Sequence, residues 1–97
     1  MPKNKAHTAT ANRIARRYGG EVRGNGGPAV AADGMLVEVA TADALRRGIK
    51  LLQEFPGRLY VAVTNQEAVI DALRLTQGTS VGVMDPRGNI VKEFAAE

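Results

Sequence analysis

Pro28-Ala-Val-Ala-Ala-Asp33-Gly34-Met-Leu-Val-Glu38-Val-Ala40 is the stretch that decides the fold. Two apolar runs, residues 29–32 and 35–39, flank Asp33-Gly34. Asp-Gly between such runs is the strongest short-range signal for a two-residue β-hairpin. The second run carries one charge, Glu38. A carboxylate inside an apolar strand costs solvation free energy unless it faces water or meets a cation. Glu38 therefore reads either as a strand residue on a solvated face, or as a metal ligand or base at a sheet edge.

Working outward, the pattern upstream is helical from Thr8. Ala11, Ile14, Ala15 and Tyr18 fall at i, i+3, i+4 and i+7 and make one apolar stripe. Arg13, Arg16 and Arg17 project away from it, and Gly19-Gly20 stops the helix. Residues 1–7 carry no periodicity and read as a fraying basic tail that includes His7. Residues 21–23 are a short strand candidate. Gly24-Asn-Gly-Gly27 is a loop by composition; it serves as a connector or as a backbone cradle for a phosphate.

Downstream, Thr41 caps a second helix with Asp43 in its first turn. Ala44, Leu45, Ile49, Leu52 and Phe55 form its buried stripe, and Arg46, Lys50 and Gln53 share one polar flank. Pro56-Gly57 ends it. Residues 58–63 are apolar enough to be a central strand. Thr64-x-x-Glu67 is a capping box opening a third helix that runs to about Gln77-Gly78. Residues 80–84 and 89–94 then pair as a hairpin across the turn Asp85-Pro-Arg-Gly88. The order is helix, three strands, helix, strand, helix, hairpin. It predicts a single α/β or α+β domain, with strands 58–63 and 80–84 parallel if they share the sheet.

Composition narrows the chemistry. The 97 residues hold no cysteine and one histidine, so disulfides, thiolate zinc sites and two-histidine metal sites are excluded. A metal would need oxygen ligands, which points to magnesium, manganese or calcium. No apolar run reaches the roughly 20 residues of a membrane span, and no signal-peptide pattern opens the chain, so the expectation is a cytoplasmic protein off the membrane. No nucleotide fingerprint points to a small-molecule cofactor. A chain this short is marginal on core size, which favours a homodimer.

The charge is uneven. Residues 1–27 hold six cations (Lys3, Lys5, Arg13, Arg16, Arg17 and Arg23) against the single acid Glu21, while residues 28–97 hold seven cations against nine acids. A basic first quarter on a near-neutral body suits contact with DNA phosphates or, equally, a solvated helix face.

Taken together, the basic first helix, the Gly-rich loop, Pro28-Ala29, the hairpin turn, Glu38-Val39-Ala40, a helix carrying Gln53, and the strand through residues 59–63 resemble the restriction-endonuclease-like PD-(D/E)xK nucleases. Small Holliday-junction resolvases and virus-type replication-repair nucleases are the nearest in outline. The resemblance spans residues 8–64 and implies an αβββαβ core, with a C-terminal helix and β-hairpin added here. It implies Mg²⁺ (or Mn²⁺) held between an Asp after the Pro and the Glu, and a Lys two residues past the Glu that activates or positions the attacking water. Glu38 falls on the Glu position. Ala29 stands where the Asp belongs and Ala40 where the Lys belongs, so the implied endonuclease is weakly active or inactive as written.

Three accounts fit the two alanines. Catalysis is lost and DNA binding kept; or the missing groups come from Asp33, Lys50 and Gln53, with Asp33 joining Glu38 on the metal; or the alanines are substitutions that inactivate. A competing reading is a non-catalytic interaction or dimerisation module that offers the edge of its terminal hairpin.

Overall fold

The hairpin forms as its turn residues dictate. Asp33 (φ 44°) and Gly34 (φ 81°) both take positive φ, as a type I′ turn requires. The turn joins β2 (Val30–Ala32) to β3 (Met35–Ala40) with Val30 opposite Val37 and Ala32 opposite Met35. These positions come from a computed structural model of the chain, which describes residues 5–23 and 27–95. Lys3 and most of the Gly24–Gly27 loop lie outside the described residues.

Four more strands complete a mixed six-stranded sheet whose spatial order follows the chain. β1 (Glu21–Val22) pairs antiparallel with β2. β4 (Arg58–Val63) runs parallel to β3, β5 (Gly82–Met84) runs parallel to β4, and β6 (Ile90–Lys92) closes the far edge antiparallel to β5. The helices are α1 (Lys5–Tyr18), α2 (Leu45–Leu52, entered through a 3₁₀ turn at Ala42–Ala44) and α3 (Ala68–Leu75). This is a single-domain α+β fold, and its order of elements is the one the periodicity predicts. The two crossovers through α2 and α3 are what make β3, β4 and β5 parallel.

Strand alternation divides the core into two layers. Met35, Val37, Val39, Tyr60, Ala62 and Met84 face α1 and its stripe of Ala11, Ile14 and Ala15. Ala40, Leu59, Val61, Val63 and Val83 face α2 and α3, meeting Leu45, Ile49, Leu52, Ala68 and Ala72. β4 is buried on both faces, as its unbroken apolar run requires. Tyr60 is its largest fully buried side chain. Its hydroxyl donates to the Glu93 carboxylate and accepts from Arg58 Nη2 at 3.2 Å, which satisfies the one polar atom of a buried ring. Burial pushes the Tyr60 phenol up, and the hydrogen bond from Tyr60 pulls the Glu93 carboxyl down. The ring lies against Gly82 of β5, where an added Cβ would stand 2.7 Å from Tyr60 Cδ2.

Local boundaries differ from the sequence reading in ways with clear causes. α1 begins at Lys5 and includes His7, so helix replaces the expected tail over residues 5–7. α3 begins at Ala68, whose N–H is taken by Asn65 Oδ1 at 2.9 Å; the Thr64 capping box does not form. An Asx side chain three residues ahead does the capping instead. Gln53 lies one residue past the end of α2. Among the described residues no helix is long and apolar enough to cross a membrane.

Candidate functional site

Alternation along β3 turns Glu38 to the face covered by α2 and α3, and leaves it half-buried. The Ala29 N–H donates to Glu38 Oε1 at 3.0 Å. The hairpin register makes this contact: Val30 pairs with Val37, so the next position down β2 meets the next position up β3. Over them lies Gly48 of α2. A Cβ there would stand 3.2 Å from Glu38 Cγ and 3.4 Å from Ala40 Cβ. Glu38 and Ala40 thus lie together under a helix turn that has no side chain, whereas Ala29 reaches Glu38 only through its backbone N–H and packs its methyl in the layer facing α1. Ala29 and Ala40 are only 1% and 2% exposed, so both methyl groups are packed, not open to the site.

The other residues expected to complete a catalytic set lie elsewhere. Asp33 is exposed in the β2–β3 turn, beyond Met35, and three residues of strand, roughly 10 Å, separate Met35 from Glu38. Asp33 and Glu38 occupy different ends of the hairpin and do not form a joint metal site. Lys50 and Gln53 follow Gly48 by two and five residues, which turns them roughly 160° and 140° away from the Glu38 side of α2. Both line a depression of about 390 Å³ between α2 and α3, with Arg46, Ile49 and Leu75. Arg46, Lys50 and Gln53 do share one flank, as read from the sequence. That flank faces α3 and not Glu38.

The α1 arginines have internal work, which the sequence reading missed. Arg13 Nη1 donates to the Pro86 carbonyl at 2.8 Å. Arg17 Nη1 donates to Asn89 Oδ1 at 2.6 Å and to the Arg87 carbonyl at 3.2 Å. The Tyr18 hydroxyl donates to the Gly88 carbonyl at 2.6 Å, and Arg17 lies 5.5 Å over the Tyr18 ring. Together they clamp α1 to the β5–β6 turn. Arg16, Arg23 and Lys5 are exposed. The six expected phosphate contacts therefore divide into two clamp residues, three exposed cations, and Lys3, which lies outside the described residues. Arg17→Ala is expected to lower the melting temperature by about 4–8 °C, the value of roughly 1 kcal/mol in a domain of this size. A purely DNA-contacting arginine would leave it unmoved, so thermal denaturation without DNA separates the roles.

Among the described residues, the donor set around Glu38 does not fit Mg²⁺. It offers one carboxylate, with an oxygen already accepting from Ala29, beside two alanines and a glycine. Mg²⁺ asks for near-octahedral oxygen ligation. Among the described residues no three His, Cys, Asp or Glu side chains converge as a metal group. No family model matches the chain, and no curated protein or solved structure matches it either.

Proposed function

We propose that this chain is a DNA-binding domain of the restriction-endonuclease-like type, acting as a homodimer, in which binding is retained and cleavage is weak or lost. The observation that carries the reading is that Glu38 and Ala40 lie side by side under Gly48, with the Ala29 backbone N–H donating to Glu38. In such nucleases these three positions must converge on one phosphate. Here Glu38 is the one of the three that carries a functional side-chain group. Glu38 joins β2 to β3 by accepting from the Ala29 N–H, and Ala29 and Ala40 bring no side-chain group that binds a phosphate. Affinity must therefore come from the protein's basic surfaces.

The test pairs this chain with Ala29→Asp/Ala40→Lys, offering each linear, branched and single-stranded DNA at low salt. Ca²⁺ is present for binding and Mg²⁺ or Mn²⁺ for cleavage. The expected result is salt-dependent binding by both and cleavage by the restored chain alone. Because both alanines are packed, circular dichroism must first show that the restored chain folds. Absence of binding by the unaltered chain at low salt overturns the reading whatever the restored chain does.

One observation favours a second reading, an interaction module. β6 is an edge strand, and its Ile90 and Val91 are 37% and 43% exposed. Under that reading Val91→Lys abolishes self-association in light scattering, and DNA affinity is absent.

A further inference from the structure

We infer that the phosphate-binding surface of this protein is the trough between α2 and α3, and not the arginine face of α1. The inference rests on the DNA-binding reading above. The partner is the phosphodiester backbone of DNA.

α2 contains three cations, Arg46, Arg47 and Lys50, and no acid. Among the described residues, Arg46 and Lys50 have no ion-pair or hydrogen-bonding partner, and both are exposed. Their spacing of four residues puts them on one side of the helix, about 6 Å apart along its axis. Two depressions run along that side. One, of about 390 Å³, is lined by Arg46, Ile49, Lys50, Gln53 and Leu75. The other, of about 230 Å³, is lined by Ala42, Arg46, Asp71, Arg74 and Leu75. Arg46 and Leu75 border both, so the two depressions adjoin, one reaching toward Ala42 and the other toward Gln53. Its one acid, Asp71, lies 3.5 Å from Arg74, and those two charges offset one another. Arg46 and Lys50 leave the trough net positive.

Charge complementarity and chemistry select the occupant. The walls are cationic, Gln53 offers an amide donor at one end, and the floor of Ile49 and Leu75 is apolar and carries no acceptor that competes for the cations. A chain of phosphates fits such a trough, and contacts of this kind position a nucleic acid without reading its sequence. Arg13 and Arg17, by contrast, each commit Nη1 to the β5–β6 turn, which holds their guanidinium groups in place instead of leaving them to follow a phosphate chain. α1 also covers the opposite face of the sheet, whereas the trough and Glu38 share one face, with α2 between them.

The experiment measures duplex DNA binding against salt for the unaltered chain, Arg46→Ala/Lys50→Ala, and Arg16→Ala/Arg23→Ala. Each lost phosphate contact lowers the slope of log affinity against log salt by about 0.9. The expected result is a slope lower by about 2 for R46A/K50A and little change for R16A/R23A. Unchanged slope in R46A/K50A, with binding intact in the unaltered chain, overturns the trough and leaves the DNA-binding reading standing. Loss confined to R16A/R23A assigns the contact to the α1 side and overturns it too. No binding by the unaltered chain overturns both. All four residues are exposed, so melting temperatures close to that of the unaltered chain are expected and show that a slope change is not unfolding.

Discussion

Gly82→Ala is expected to lower the melting temperature by about 12–24 °C, close to unfolding the protein at physiological temperature. The added methyl would stand 2.6 Å from the Lys92 carbonyl oxygen, 2.7 Å from the Phe94 nitrogen and 2.7 Å from Tyr60 Cδ2. Two of these three neighbours are backbone atoms of the segment that forms the sheet edge, and the third belongs to a fully buried ring. None is the free end of a flexible side chain. Relief requires β6 to shift off β5 and the Tyr60 ring to move, which disturbs the bonds of Arg58 and Glu93 to its hydroxyl. Overpacking of this kind costs on the order of 3 kcal/mol, a large part of the 5–15 kcal/mol that holds a domain folded. At roughly 4–8 °C per kcal/mol that gives the stated loss. Thermal denaturation followed by circular dichroism measures it. A loss of only a few degrees would mean that β6 does not sit on β5 as described.

Asp85→Ala is expected to cost about 2–4 kcal/mol, and its effect should depend on pH. The Asp85 carboxylate is nearly buried and accepts from the Arg87 N–H, the Asn89 N–H and the Asn89 side-chain amide, each at 2.9 Å. It thereby fixes the turn onto which α1 is clamped. Burial alone would raise its pKa. The Asn89 side-chain amide, the Asn89 and Arg87 backbone N–H groups and the nearby Arg17 outweigh burial, so the carboxyl sits below the ordinary value of 3.8. A carboxyl depressed in the folded state contributes its stabilisation above its unfolded pKa and loses it as pH falls through the folded one. The stability difference between the unaltered chain and Asp85→Asn should therefore be constant above about pH 5 and shrink below about pH 4. Urea titrations at pH 7, 5, 4 and 3 give that difference directly. The other acids titrate alike in both chains and cancel. A difference that is flat down to pH 3 would remove the carboxylate's charge from the account.

The hairpin was legible in the sequence because Asp33-Gly34 acts on its own backbone. The two crossovers were legible because apolar periodicity changes from strand to helix and back within a few residues. The place of Glu38 stays open in the sequence between a solvated face and a site at a sheet edge, and the register with the Ala29 N–H and the covering turn of α2 decide it. What could not be read was lateral placement. A helical wheel relates Lys50 and Gln53 to the buried stripe of α2, but it does not say which strand lies beneath that stripe or which helix lies beside it. Gly48 carried the missing signal: a glycine on the buried face of a helix marks a close approach, and here the approach is to Glu38 and Ala40. The α1 clamp left no trace in the letters, because the acceptors of Arg13 and one of the two of Arg17 are backbone carbonyls, which every residue has. Asn65 displaced Thr64 as the cap of α3 by where the chain turned, a choice that both residue types permit.

The clamp also bears on the order in which the protein can be assembled during translation. Arg13 and Pro86 are 73 residues apart, and Arg17 and Asn89 are 72 apart. α1 is made well before residues 86–89, which hold the oxygens that receive its arginines. Until they emerge, α1 has its apolar stripe but no fastening at its outer edge, and the hairpin that would fasten it does not exist. The fastening of α1 is thus a contact of long sequence separation, of the kind that costs loop-closure entropy before it contributes stability.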